Sequence, residues 1–421
     1  MYLITNGIII QPEGLLEGHE VLICDDKISE IVPEGTTQKS ADLGVIDAHG
    51  GYIMPGLIDI HSDYLENVAS PRPTVVMDLP TSIFETEREL LTHGVTTIFH
   101  SLSVYKENLM DVKAIRKFEN VQKLIDLIDL IKRTEGKNAH LIRHRLHARL
   151  EIDNVHLVDQ ISQLITHGKV DLLSFMDHTP GQGQYRDLEV YAKTMRSYDS
   201  KLSDEDIERL AKKQQDAAKL SIDDLRHIAD LAKECGIAIA SHDDDSTAKL
   251  DLMQELGATI SEFPIDLEVA QSAVDRGMYT VMGAPNILLG KSHSGNLSAR
   301  EAVDAGVARV LCSDYYPTAL LHSMFALHRE HNLSLAEACK LMTINPARAA
   351  RVDDELGSIE CGKKADILIV REVEEQDRRF PVITAAMVDG RVVSRSWYPS
   401  LPSRSARFAY DAQAMTEELV D

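Results

Sequence analysis

Two residues of types that commonly bind metal ions, His61 and Asp63, stand two positions apart at the end of a short apolar segment. The segment 57–60 follows the turn signal Pro55-Gly56 and is predicted to be a buried β-strand. Side chains at positions i and i+2 of a strand leave from the same face, so this imidazole and carboxylate point the same way. The pair suits a divalent metal such as Zn²⁺; a simple hydrogen bond at the strand end is the other interpretation of the pair alone.

The ends of five further predicted strands also carry side chains that bind metals or charged substrates. These residues are Arg149 and Glu151 (third strand), His178 (fourth), His242 (fifth), Glu262 (sixth) and Asp314 (eighth). In barrel enzymes the catalytic groups lie at the C-terminal ends of the strands, so these side chains are expected to converge. The convergence predicts a centre of one or two divalent metal ions, with zinc as the expected metal.

Two neighbouring features leave alternatives open. His147, on the third strand, is either a structural or a substrate-binding histidine. The acidic run 243–245 is explained by a solvated loop that caps a helix starting near Ser246, so only His242 of that strand end is assigned to the site.

The elements that would position these residues alternate between strand-like and helix-like segments from Leu57 onward. Eight strands are predicted, at Leu57–His61, Val95–His100, Leu141–Glu151, Val170–Asp177, Ile237–His242, Thr259–Phe263, Tyr279–Met282 and Arg309–Ser313. Helices are predicted between them, including Glu87–Thr92, Val121–Arg133, Val155–Thr166 and Leu267–Arg276. Eight βα units in about 260 residues fit a (β/α)₈ TIM-like barrel, assigned to residues 56–355. An open doubly wound sheet is the alternative, but no G-x-G-x-x-G opens the first βα turn.

The two ends of the chain are rich in short strands. Residues 1–55 and 356–402 are predicted to form one small β-sandwich domain beside the barrel, with a first hairpin at Asn6-Gly7. Strand character returns from Gly357-Ser358-Ile359, and the tail 403–421 is polar and acidic at its end. The long connection 183–234, with a polar helical run over 202–220 and a further helix, is either a lid or oligomer contact, or a solvated helical hairpin.

Composition narrows the class of protein. The formal net charge of −23 argues against nucleic acid or an anionic membrane as a partner. No apolar run approaches the roughly 20 residues of a membrane span, and no basic segment precedes the N-terminal apolar run. Five cysteines without a C-x-x-C pair predict reduced, mostly buried thiols and a cytoplasmic location.

Three longer motifs resemble the amidohydrolase superfamily. Residues 54–61 (Met-Pro-Gly-Leu-Ile-Asp-Ile-His) resemble its first-strand signature, residues 357–366 resemble its closing β segment, and Asn345-Pro346-Ala347 also fits. The superfamily usually has His-x-His in the first strand, whereas this chain has His61-Ser62-Asp63. With that departure, segments 71–73, 175–182, 240–244, 282–286, 292–296 and 313–317 resemble one subfamily, which hydrolyses α-D-ribose 1-methylphosphonate 5-triphosphate in phosphonate breakdown.

This resemblance implies a metal-dependent hydrolase of phosphorus-containing anhydrides that releases pyrophosphate and leaves the ribose 5-phosphate. It implies metal ligands at His61, Asp63, Glu151, His178 and His242, with Asp314 as general base and further ligand. The implied partner is a small phosphorylated ribose, and a homodimer is expected.

A triphosphate also requires cations, because negative charge develops at phosphorus. The residues assigned to substrate binding are Arg72, Arg149, Lys291 and His293, and His293 is also assigned a catalytic role. Two alternatives remain: an enzyme of the same superfamily acting on a cyclic amide or amine (a deacetylase, deaminase or dihydroorotase-like enzyme), which would need a nearly neutral pocket, and a non-catalytic scaffold, which would have lost its ligands.

Overall fold

The computed structural model describes residues 1–38, 42–72, 74–104, 114–135, 140–198, 200–292 and 295–398. The predicted tail 403–421 and His293 lie outside these residues. The chain begins with seven short strands: β1 (Tyr2–Thr5), β2 (Ile8–Gln11), β3 (Gly14–Leu16), β4 (His19–Cys24), β5 (Lys27–Pro33), β6 (Gly44–Asp47) and β7 (Tyr52–Pro55).

Eight parallel strands then form the barrel. They are β8 (Leu57–Ser62), β9 (Val95–Ser103), β10 (Arg143–Glu151), β11 (Leu172–Met176), β12 (Ala238–His242), β13 (Ile260–Glu262), β14 (Tyr279–Gly283) and β15 (Val310–Cys312). Each strand pairs with the next along the chain. A parallel bridge between Ser62 and Asp314 joins the last strand end to the first. The predicted barrel is confirmed, and its strand bounds lie within three residues of the expected ones.

The helices pack around this barrel, apart from two that belong to the long insertion. They are α1 (Tyr64–Ala69), α2 (Leu79–Thr92), α3 (Phe118–Arg133), α4 (Val158–Thr166), α5 (Leu188–Tyr198), α6 (Asp204–Gln215), α7 (Ile222–Glu234), α8 (Thr247–Glu255), α9 (Leu267–Asp275), α10 (Pro285–Leu289), α11 (Ala299–Asp304), α12 (Ala319–Glu330), α13 (Leu335–Lys340) and α14 (Ile344–Ala349). Among the described residues, no helix has the length and apolar character that a membrane crossing requires.

Three C-terminal strands complete the small sheets: β16 (Ile367–Glu375), β17 (Arg378–Val388) and β18 (Arg391–Arg395). One sheet has the order β5-β4-β1-β6, and the other has the order β18-β17-β16-β7-β2-β3. The two chain ends therefore share a sheet, because β16 pairs antiparallel with β7. The sandwich built from both ends is confirmed; the domain boundaries stay predictions.

The predicted hairpin at Asn6-Gly7 is wrong. Strand β1 pairs with β4 and β6, whereas β2 pairs with β3 and β7 in the other sheet. Asn6 adopts a positive φ of 56°, and its side-chain amide donates to Oδ1 of Asp47 at 2.7 Å. The turn thus sends the chain from one layer to the other, where Ile4 and Ile9 enter the same core. The segment 357–359 is likewise not a strand.

The cysteine prediction is only partly right. All five cysteines are free, as expected. Cys312 and Cys339 are buried, but Cys235 and Cys361 are exposed and Cys24 is half-buried. The expectation that most of the thiols are buried is therefore wrong.

The first barrel strand packs tightly at its start. All six residues of β8 are buried, and the amide of Gly56 donates to the carbonyl of Asp366 at 2.9 Å. A Cβ atom at Gly56 would lie 2.1 Å from Oγ1 of Thr96 on β9. Only glycine permits this approach of two strands, which fixes the height at which His61 emerges.

Two helices of the long insertion after β11, α5 and α6, form a small unit of their own, whereas its third helix, α7, packs against the barrel. Ser203 and Ser221 start α6 and α7 with complete capping boxes. The α5–α6 pair has a small apolar core that includes Tyr191, Met195 and Ile207. This core holds the pair together at the mouth of the barrel.

Candidate metal and phosphate site

A cavity of about 870 Å³ opens at the C-terminal ends of the barrel strands. Its floor carries predicted site residues, including His61, His178, His242 and Asp314. Its outer wall comes from the insertion, through Tyr185, Tyr191, Lys193, Met195 and Gln214. The α5–α6 unit therefore occupies the position of a lid over the floor.

The first group of possible ligands contains His61, His242 and Glu262. All three are buried, and their ligand atoms lie within 4.8 Å of one another. His61 Nδ1 lies 2.9 Å from Glu262 Oε1. The group forms because His242 and Glu262 are direct partners in the β12–β13 register, facing β8 across the barrel interior.

The second group contains His178, His242 and Asp243, again with ligand atoms within 4.8 Å. Asp243 Oδ2 lies 2.9 Å from His242 Nδ1 and 3.4 Å from His178 Nε2. The backbone of Asp243 has a positive φ of 51°, which turns its carboxylate back toward the strand end. Glu151 contacts this group from outside, with its Oε1 2.6 Å from His178 Nδ1.

Electrostatics favour the states that bind metals. Burial lowers the pKa of His61 to about 3 and also lowers the pKa of His242, so both imidazoles are neutral. Burial alone would raise the pKa of Asp243, but His242 and His178 hold it well below its usual value. Neutral imidazole and ionised carboxylate are the forms that ligate a cation.

The residues present fit a divalent cation. Within the described part of the chain, Nε2 of His242 and Oε2 of Glu262 are buried without a hydrogen bond. Buried polar atoms are normally paired, and these unpaired atoms on two converging side chains require a partner. A nitrogen and carboxylate donor set suits zinc and similar ions.

The structure gives Asp63 a different neighbour from the one predicted. Its Oδ1 lies 2.8 Å from Arg149 NH1, and Asp63 belongs to neither ligand group. Burial opposes the charge of Arg149, but Asp63 raises the pKa of the guanidinium. Asp63 and Arg149 therefore form an ion pair beside the floor, and the assignment of Asp63 as a ligand stays a prediction.

Asp314 lies at the seam where the barrel closes. Its amide donates to the carbonyl of His61 at 3.1 Å, and its carbonyl accepts from the amide of Asp63 at 2.7 Å. Burial, together with the charge of Asp63, raises the pKa of the Asp314 carboxyl to about 7. A carboxyl with this pKa at the cavity floor is suited to accept a proton.

His147 is held by structural contacts. Its Nδ1 lies 2.9 Å from the carbonyl of Ile60, and its Nε2 lies 3.0 Å from Ser174 Oγ. Burial lowers the pKa of His147 to about 3. With both ring nitrogens engaged, the structural interpretation is the better one.

The predicted cations are only partly brought together. Lys291 and Arg149 line the cavity, whereas Arg72 is exposed and does not. Arg116 and Lys193 also line it and were missed by the sequence. Both come from irregular or inserted segments, which no barrel-strand pattern indicates.

Asp243 is a possible ligand that the sequence analysis does not assign. The triplet 243–245 is explained there by a loop and a helix cap, but in the structure each aspartate has its own contacts. Asp244 accepts from Ser241 and Ser261, and Asp245 accepts from the amide of Gly183 at 2.8 Å. Ser246 caps α8 itself. The one sequence signal for Asp243 is its position directly after His242, the histidine at the end of β12.

Comparison with known proteins assigns the chain to a family. The chain belongs to the amidohydrolase family, whose model matches residues 52–393. It is 34% identical over 331 residues to the alpha-D-ribose 1-methylphosphonate 5-triphosphate diphosphatase of Escherichia coli (strain K12), covering 77% of this chain and 84% of that protein. It is 24% identical to the imidazolonepropionase of Geobacillus sp. (strain WCH70), covering 88% and 84%. The structure of molinate hydrolase superposes with a TM-score of 0.64 at 16% identity, covering 96% and 98%, and shares the fold.

Proposed function

We propose that this enzyme hydrolyses α-D-ribose 1-methylphosphonate 5-triphosphate to the 5-phosphate and pyrophosphate, in cytoplasmic phosphonate breakdown. The observation that carries the proposal is the composition of one cavity. Its floor offers histidines and carboxylates, with unpaired atoms on His242 and Glu262, and its walls offer Lys193 and Lys291, in a chain of net charge −23. The diphosphatase relative from Escherichia coli supports the same substrate.

The ligand groups would hold one or two divalent ions. His61, His242 and Glu262 form one candidate set, and His178 with Asp243 forms the other around the shared His242. A bound divalent cation supplies Lewis acidity, which makes water more acidic and offsets phosphate charge. Glu151 positions His178 from behind, since it lies 2.6 Å from the nitrogen that faces away from Asp243.

Asp314 is the proposed general base. It accepts a proton from the attacking water as the oxygen of that water bonds to the α-phosphorus. The bond between the α-phosphorus and the oxygen bridging to the β-phosphorus then breaks, and pyrophosphate leaves with that electron pair. Because main-chain hydrogen bonds tie Asp314 to His61 and Asp63, the base is fixed relative to the floor.

The cations on the cavity walls would bind the polyphosphate. Lys193 projects from the lid helix α5, and Lys291 follows α10, so the two approach the cavity from different segments. Arg149 is already paired with Asp63, and Arg116 with Glu66 at 2.7 Å, so each mainly offsets a carboxylate of the protein. Charge from Lys193 and Lys291 stabilises the leaving pyrophosphate.

A second candidate function acts on a cyclic amide. The relative from Geobacillus, an imidazolonepropionase, covers most of the chain. The same ligand groups would serve that reaction, so the ligands do not separate the two functions. The cavity cations favour the triphosphate, because Lys193 and Lys291 from two different segments suit a polyphosphate, whereas imidazolone propionate carries a single carboxylate.

The deciding assay follows pyrophosphate release from purified enzyme loaded with metal. The substrates are the proposed triphosphate, nucleoside triphosphates and imidazolone propionate, each also tested after chelation. Metal-dependent pyrophosphate release that is abolished in Asp314→Asn is expected. Asp223→Asn is the matched control, since the Asp223 side chain is 89% exposed and does not line the cavity. Turnover of the cyclic amide with no pyrophosphate release would replace this proposal by the second candidate.

A further inference from the structure

A second cluster of metal-binding side chains lies outside the barrel, between its wall and helix α2. Glu87 belongs to α2, His144 to β10, and His140 precedes β10. One ligand atom from each of the three lies within 4.8 Å of the others. Residues 146, 148 and 150, which share the outward face of β10 with His144, enter the apolar layer between barrel and helices. The cluster is therefore separate from the cavity floor.

One carboxylate oxygen of Glu87 lacks a partner among the described residues, whereas the other, Oε2, is contacted by His140, His144 and the amide of Leu141. Glu87 has no exposed surface, and its ion-pair partners are the histidines His140 and His144, not a lysine or arginine. Glu87 Oε1 is buried without a hydrogen bond. A buried carboxylate in this situation normally pairs with a cation or coordinates a metal.

We propose that Glu87, His140 and His144 hold a divalent cation of zinc type. His140 Nδ1 lies 3.0 Å from Glu87 Oε2, and His144 Nε2 lies 3.1 Å from the same oxygen. Zinc bonds of about 2.0–2.1 Å in a tetrahedron place neighbouring ligand atoms roughly 3.3 Å apart. Two of the three ligand separations are close to that value and the third is at most 4.8 Å, so the three side chains can supply three corners of the tetrahedron.

The surroundings of the cluster fit this assignment. His100 Nε2 lies 2.9 Å from His144 Nδ1. With a cation on Nε2 of His144, its Nδ1–H donates to His100, which is the usual way a ligating histidine is oriented. The side chain of His140 is 20% exposed, which gives the cation a path from solvent. The ion would tie helix α2 to the barrel wall and take no part in the reaction.

Metal analysis of the full-length enzyme tests this site. Glu87→Gln and His144→Gln should each lose one metal equivalent per chain and keep kcat/KM within about threefold of wild type. His322→Gln, a histidine on α12 outside both clusters, is the matched control and should keep full metal content. His242→Asn should show the opposite pattern, losing activity and floor metal but retaining the outer ion. Unchanged metal content in both Glu87→Gln and His144→Gln would overturn the proposal.

A second measurement tests the outer site even if Glu87→Gln and His144→Gln fold poorly. Full-length His242→Asn, stripped of metal and titrated with Co²⁺, should bind one ion and develop the visible absorption of tetrahedral cobalt. Adding His140→Ala, at the partly exposed ligand, should abolish that absorption. The proposal is also overturned if the His242→Asn protein takes up no Co²⁺, or if its cobalt spectrum is unchanged when His140→Ala is added.

Discussion

The substitution Asp63→Asn separates two roles for that residue. The sequence predicts a metal ligand, whereas the structure shows a partner of Arg149 at 2.8 Å. Asparagine keeps the shape of the side chain and removes its charge. If the structural role holds, the variant loses stability and keeps its metal.

The loss of stability expected for Asp63→Asn can be estimated from the burial of the ion pair. The Arg149 and Asp63 side chains are 10% and 24% exposed. Removing one partner of a buried pair costs about 3–5 kcal/mol, because the other charge is left uncompensated. Solvent contact of Asp63 and the nearby carboxylates of Glu66 and Glu151, which also favour the charge of Arg149, reduce this to about 2–3 kcal/mol. At ~2.1 cal/mol/K per residue, a chain of 421 residues loses roughly 3 °C in melting temperature.

Thermal melts and metal analysis of the same samples provide the assay. The double variant Asp63→Asn/Arg149→Gln should regain part of the lost stability, since no uncompensated charge remains. Asp223→Asn, whose partner Arg226 lies 3.7 Å away on the surface, should change stability by less than about 1 kcal/mol. An Asp63→Asn protein with an unchanged melting temperature and one metal equivalent fewer would refute the reasoning and establish Asp63 as a ligand.

Three further predictions address the site and the fold. Asp243→Asn should weaken metal binding by at least about tenfold, measured by competition with a chelator, because the carboxylate between His178 and His242 loses its charge; unchanged affinity would remove Asp243 from the site. Lys193→Met should raise KM for the triphosphate roughly tenfold, because one charged contact to the polyphosphate is lost. Arg72→Met, at an exposed residue outside the cavity, should leave KM unchanged. Equal KM values for both variants would contradict the role of Lys193 in binding the polyphosphate. Gly56→Ala should destabilise the protein by about 1–3 kcal/mol or more in denaturant unfolding, because its methyl group would meet Thr96 at 2.1 Å; a stable Gly56→Ala protein would show that β8 and β9 can separate.

The barrel could be predicted because most of its strands are short and largely apolar, although β10 carries basic residues along its whole length. In a parallel sheet both faces are covered, so such a strand appears as a compact run whose site residues stand at its end. That signal placed His61, His178 and His242 at strand ends. The hairpin at Asn6-Gly7 failed because a local turn signal cannot tell which strands the two neighbours pair with, and tertiary pairing placed β1 and β2 in separate sheets.

The details of the site depend on backbone angles and long-range contacts that spacing does not contain. Asp243 becomes a possible ligand because its φ is positive, while the adjacent Asp244 is directed to Ser241 and Ser261. Arg149 shares a strand face with Glu151, but its partner Asp63 lies 86 positions away in the chain. Lys193 reaches the cavity only because the α5–α6 pair packs over the barrel mouth. Residue types and strand ends are local properties, and side-chain partners are not.

The contact that closes the barrel also positions Asp314, the proposed base. The last strand end meets the first through two main-chain hydrogen bonds, from Asp314 to His61 and from Asp63 to Asp314. A base carried by a mobile loop would need to be ordered for each turnover, whereas this carboxylate is ordered when the barrel folds. The same contact buries Asp314 near Asp63, which raises its pKa to about 7. The fold thus supplies both the position and the proton affinity of the proposed base, and α5–α6 with Lys193 remains the part of the cavity wall suited to select the substrate.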